Sequence, residues 1–110
     1  MKRVYHLGLL GCDIGYSRSP ELFAEIFRRE GLDGSTYRLI DRPEVGPFFT
    51  EIRRTAQWDG FNVTTPYKTA VIPYLDRLDP LSTAVGAVNC VTCREGILTG
   101  YNTDVEGFAA

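Results

Sequence analysis

The chain is short of several things, and each shortage removes a class of function. No apolar segment approaches the about 20 residues a helix needs to cross a bilayer. No basic run exists either: 12 basic residues face 14 acidic ones along the chain, for a net charge of −2, so nucleic acid is not an expected partner. Three cysteines, Cys12, Cys90 and Cys93, are an odd number and do not make a disulfide framework. Cys90 and Cys93 have redox or zinc spacing but lie in the β-rich run "AVNCVTC", where positions i and i+3 face opposite sides of a strand. A zinc site would also have to recruit Cys12 and His6, the only histidine. Buried structural thiols in a reducing cytoplasm are the expectation, with no metal.

The N-terminal "MKRVYHLGLLGC" has too short an apolar run for a lipoprotein leader, and His6 and Gly8 interrupt it, so it reads as a first core strand. Without a secretion signal, the glycosylation pattern at Asn62-Val63-Thr64 carries no weight. Repeats, linkers and low-complexity stretches are missing too.

What is present suits one compact domain of 110 residues, 44% apolar and 24% charged. Strand and helix signals alternate. Strands are expected at Val4–Leu10, Tyr37–Ile40 and Gly60–Thr64, with a hairpin pairing Val88–Thr92 with Ile97–Thr99 around Glu95-Gly96. Ser19-Pro20-Glu21 opens a helix with a capping hydroxyl and an early proline, and Leu22, Phe23, Ile26 and Phe27 line its inner face. A second helix follows Pro43 with Val45, Phe48, Phe49 and Ile52 inward. A short helix over Tyr67–Ile72, a helical turn from Asp79-Pro80 to Thr83, and a last helix from Asp104 complete the pattern. The fold class this implies is α/β: a three-layer α-β-α arrangement on a mostly parallel open sheet with a C-terminal hairpin.

Ligands of such sheets sit beyond the carboxyl ends of strands, which puts Gly11–Ser19, Thr64–Lys68 and Gly100–Asp104 on one rim. Ser17 and Ser19, two apart in an extended loop, aim both hydroxyls one way beside a helix start, where a carboxylate could be held. The plainer alternative has Ser19 capping its own helix and Ser17 facing water. Lys68 can hold an anion or exchange a proton with a substrate oxygen; the alternative is a solvated lysine in a helix's first turn, where the dipole disfavours a cation. Asp104 caps the last helix or shares a site with Lys68. Asn62, Thr64, Asn89 and Thr103 could add the neutral hydrogen bonds that tell one polyol from another.

Four motifs, "SRSP" (17–20), "NVTTPYK" (62–68), "GAVN" (86–89) and "GYNTD" (100–104), occur in the order and approximate spacing of shikimate dehydrogenases, and the chain resembles that family's N-terminal domain along essentially its whole length. The resemblance implies a reversible, NADP-linked reduction of 3-dehydroshikimate to shikimate. It implies that Ser17 and Ser19 bind the substrate carboxylate, that Asn62, Thr64, Asn89 and Asp104 bind its hydroxyls, and that Lys68 and Asp104 form the catalytic pair. Lys68 would protonate the alkoxide as hydride reaches the carbonyl carbon.

This chain departs from the family's G-x-P-I-x-H-S with Gly11-Cys12-Asp13-Ile14-Gly15-Tyr16-Ser17, from its His-Asn with Phe23-Ala24, and from its G-A-V-N-T with Cys90 after Asn89. It also lacks the G-x-G-x-x-G dinucleotide loop of the family's second, Rossmann-type domain. NADP would therefore be bound mainly outside residues 1–110. The expectation is a substrate-binding and catalytic domain cut before its cofactor domain, unable to turn over by itself. Quinate as the preferred substrate, or a stand-alone module that senses such acids, are the alternatives, and a homodimer is compatible with either.

Overall fold

In the computed structural model, which describes residues 4–103, six strands build one sheet in the order β2-β1-β3-β5-β6-β4. They are β1 (His6–Gly11), β2 (Thr36–Asp41), β3 (Gly60–Val63), β4 (Arg77–Leu78), β5 (Cys90–Arg94) and β6 (Ile97–Tyr101). β1 runs parallel to β2 and β3, and β4 runs parallel to β6, whereas β5 is antiparallel to both β3 and β6. The sheet is thus mixed with parallel pairings in the majority, as expected. The hairpin also forms as expected, with Glu95 and Gly96 at φ 51° and 78°, a pair of left-handed residues that a two-residue turn demands.

Two helices cover opposite faces. In α2 (Gly46–Thr55), Phe48, Phe49 and Ile52 are buried, with Val45 just before them, as the spacing predicts. Phe48 is completely buried and meets Phe49, Trp58 and Phe61 edge-on at centroid distances of 5.7, 6.3 and 5.4 Å. Burying one such ring contributes about 2–3 kcal/mol, so this cluster anchors the core. Because residues alternate along β3, Phe61 and Val63 enter that core while Asn62 faces the other side, where α1 (Ser19–Arg29) lies.

Several expectations need correction. β1 begins at His6, and Val4 is exposed. On α1 only Phe27 is fully buried; Leu22 and Ile26 stand 63% and 45% exposed, because the helix rests on the β2 side of the sheet and turns that flank away. No α-helix spans Tyr67–Ile72. The Lys68 carbonyl accepts from Val88 N–H at 2.8 Å, across to the strand side, so the helical ladder is broken there. What remains is a run of turns ending in a 3₁₀ turn at Ile72–Tyr74. β4 is a two-residue strand that no sequence signal marked. The third helix, α3 (Pro80–Val85), runs two residues past Thr83, and Asp79 caps it by accepting Ser82 N–H at 2.8 Å. The last helix expected from Asp104 lies outside the described residues.

Cys90 and Cys93 take opposite faces of β5, as the strand period requires, but all three cysteines are half-buried rather than enclosed. Burial still pushes the Cys93 thiol up to about 12, with the Asp59 carboxylate adding to it, and raises Cys90 as well. Both stay protonated thiols, poor nucleophiles and poor ligands at neutral pH.

Candidate functional site

The carboxyl ends of β1, β2, β3 and β6 and the start of β5 converge on one rim of the sheet. The first contributor is the loop from β1 to α1. Asp41, at the end of β2, accepts from the backbone N–H groups of Asp13 and Ile14 at 2.8 and 3.1 Å, pinning the loop. Asp13 takes φ 58° there. The loop then turns, Ser17 N–H donating to the Ile14 carbonyl at 2.9 Å. The absence of a side chain at Gly11 matters: a Cβ would come within 2.7 Å of Ile14 and 2.8 Å of Thr64. Glycine lets the serine loop lie directly against the end of β3.

Ser17 and Ser19 do point the same way. Ser17 Oγ donates to Ser19 Oγ and accepts Ser19 N–H, both at 3.2 Å. Neither hydroxyl caps α1 in the ordinary way; Arg18 is the capping position and no side chain fills it. The expected Ser19 cap is therefore wrong, and the two hydroxyls form a half-buried pair at the helix start. Two hydroxyls beside the positive end of the helix dipole make a setting that favours an anion.

The second contributor is "FNVTTPYK". Thr64 N–H donates to Leu10 O at 2.9 Å, and Val63 N–H donates to Asn89 O at 2.8 Å, so the strand end is stitched on both sides. The Thr65–Pro66 peptide is cis. Tyr67 is buried and donates its hydroxyl to Arg42 O at 2.6 Å, anchoring the turn one residue before Lys68. Lys68 is half-buried on that turn and not in a helix's first turn, so the solvated-helix alternative does not describe it.

Asn89 and Thr103 form the third contributor. Asn89 Nδ2 donates to Thr103 Oγ1 at 2.9 Å, and Thr103 N–H donates to Asn89 Oδ1 at 3.0 Å. Beneath them Asn102 is buried and donates to Ala87 O at 3.1 Å. These bonds tie the "GAVN" and "GYNTD" segments together. Asp104 lies outside the described residues.

Ser17, Ser19, Asn62, Thr64, Lys68 and Asn89 thus share one rim, and all six are half-buried, neither packed away nor fully solvated. They sit on an open ledge. The apolar cavity of about 260 Å³ on the α1 side reaches the ledge only through Asn62 and Cys90, and it extends down the face past Leu7 and Phe23. On chemistry, hydroxyls, amides and a lysine along one rim carry more weight than that cavity. A separate cluster, Cys12, Asp13 and Asp41, brings three potential ligand atoms within 4.8 Å of one another, but both Asp41 oxygens already serve loop N–H groups.

One neighbour of the site escaped the sequence reading. Tyr37 was expected only as a strand residue, yet its hydroxyl donates to Asn62 Oδ1 at 2.9 Å. Period-two alternation puts Tyr37 on the α1 face, but nothing in the sequence says that its ring reaches across β1 to β3.

Residues 9–91 match the model of the shikimate dehydrogenase substrate binding domain. A shikimate dehydrogenase (NADP(+)) of Bacillus cereus is 41% identical over 108 residues, covering 98% of this chain and 38% of the relative. The crystal structure of Thermus thermophilus shikimate 5-dehydrogenase in complex with NADP(H) and shikimate superposes with a TM-score of 0.85 at 34% identity, over 96% of this chain and 40% of that one. Quinate dehydrogenase from Corynebacterium glutamicum, in complex with NAD, gives 0.82 at 34% identity, over 96% and 39%. This chain therefore spans well under half the length of the relatives it matches.

Proposed function

The chain belongs to the shikimate dehydrogenase family as its substrate-binding domain, and from that premise we propose that it supplies the substrate-binding and proton-transfer half of an NADP-dependent shikimate dehydrogenase. The observation that carries this reading is the shared rim of Ser17, Ser19, Asn62, Thr64, Lys68 and Asn89, drawn from three segments far apart in sequence.

In the proposed reaction the serine pair receives the substrate carboxylate, and the amides and Thr64 take ring hydroxyls. Lys68 Nζ gives a proton to the developing alkoxide oxygen and takes it back in the oxidative direction, with Asp104 as its acidic partner. The carbonyl oxygen gains negative charge only as hydride arrives, so a cation placed there stabilises the transition state more than the ground state. NADP supplies the hydride when bound; the described residues hold no Gly-rich loop for it, and the longer relatives support a second domain as its holder.

Quinate is the second reading, favoured by the solved quinate dehydrogenase of similar fold and identity. Both are tested by kcat/KM of the full-length protein with shikimate against quinate, each with NADP and with NAD. The expected result is a preference for shikimate and NADP. A reversed preference for quinate or NAD corrects the specificity, and no turnover of either acid overturns the enzymatic reading in favour of a binding module.

A further inference from the structure

We propose that Tyr37 is a positioning residue of this site: its hydroxyl locks the Asn62 side-chain amide so that the NH₂ group, and not the carbonyl oxygen, is turned to the ligand. The inference rests on the functional reading above and adds a residue to it that none of the four motifs contains.

The geometry is specific. Tyr37 pairs with Leu7 in the sheet register, while Asn62 pairs with Leu9, two residues further along β1. Since β1 lies between β2 and β3, the phenol must cross β1 diagonally to reach Asn62. It is held on that path by Phe23 of α1, whose ring stacks on it at 4.1 Å between centroids and only 5° between planes. The residue is 8% exposed, so its hydroxyl has little water to turn to. Its donor bond to Asn62 Oδ1 occupies the amide oxygen.

With its oxygen held by the phenol the amide is oriented, and its two N–H donors form the end turned away from Tyr37. Asn62 then recognises an oxygen lone pair on the ligand, whether of a hydroxyl or of a carbonyl. With the phenol removed, the amide is free to present either end, and the oxygen end offers no donor to a ligand lone pair. Burial, with the nearby Cys90 adding to it, pushes the Tyr37 pKa up to about 12, so the phenol keeps its proton throughout the neutral range.

The test uses the full-length enzyme with shikimate and NADP. Tyr37→Phe keeps the stacked ring and deletes only the hydroxyl, so KM for shikimate should rise about three- to ten-fold while kcat moves by less. The rise should be constant from about pH 6 to 9, and it should vanish in an Asn62→Ala background, where no amide remains to orient. An unchanged KM, or the same rise in the Asn62→Ala background, overturns the proposal, since a merely structural tyrosine would act additively. Asn62→Asp gives a check that does not depend on Tyr37→Phe folding: it keeps an acceptor for the phenol but replaces the outward donor by an acceptor. Shikimate binding should then weaken at least ten-fold, and wild-type affinity in that variant would remove the donor assignment. A wild-type enzyme that uses neither shikimate nor quinate removes the functional reading itself, and the role of Tyr37 with it.

Discussion

Lys68 is the residue on which the proposed chemistry turns. If it delivers the proton to the developing alkoxide, Lys68→Ala should lower kcat by about 10²- to 10⁴-fold with a much smaller change in KM. Steady-state kinetics of the full-length enzyme decide this, and near-normal turnover would refute the role. The serine pair should behave in the opposite sense. Ser17→Ala combined with Ser19→Ala removes two donors from the ground-state complex and should raise KM for shikimate by ten-fold or more, on the order of 1 kcal/mol per lost bond. Unchanged KM would make the pair a local feature of the helix start. At this scale the sequence was informative about which side chains are polar and where each leaves its strand. It was silent about Tyr37, because the Tyr37–Asn62 bond joins two strands that are not adjacent in the sheet.

Among the elements, the longer strands and α2 followed their periodicity, α1 kept only part of its expected inner face, and short connections did not follow theirs. α2 formed where Phe48, Phe49 and Ile52 predict it, because an apolar stripe has only one way to face the sheet. The segment after Pro66 failed to become a helix because a partner distant in sequence, Val88, claimed the Lys68 carbonyl. β4 was equally illegible: two residues carry no period, and its place depends on pairing with Thr99 and Gly100. Asp76, one residue before β4, fastens this edge. Its carboxylate accepts Leu98 N–H at 2.8 Å and Arg53 Nη2 at 3.2 Å. The Leu98 bond first, then the Arg53 contact, hold the Asp76 carboxyl below its ordinary value of 3.8. A lowered folded-state pKa stabilises fully above that ordinary value and is lost as pH falls through the folded one. Asp76→Asn should therefore lower the urea midpoint at pH 7, and the gap to wild type should close as the pH is taken below about 3.8. A gap that persists unchanged in acid would dismiss the carboxylate's role.

For the whole molecule, one aromatic cluster does most to hold α2 on the sheet that carries the rim. Phe48→Ala should cost about 3–5 kcal/mol in chemical denaturation, a large part of the stability of a domain this size. A cost below about 1 kcal/mol would mean that the cluster can collapse around the gap. The sequence by itself determined the alternation of elements, the α2 core face and the hairpin turn at Glu95-Gly96. All of these are set within a few residues by side-chain period and local backbone preference. Only the tertiary structure decided the strand order, the antiparallel insertion of β5 beside β3, the irregular turn under Lys68 and the reach of Tyr37 to Asn62. Each of those depends on hydrogen bonds between residues from about 20 to more than 50 positions apart, which have no signature in either segment until the sheet brings them together.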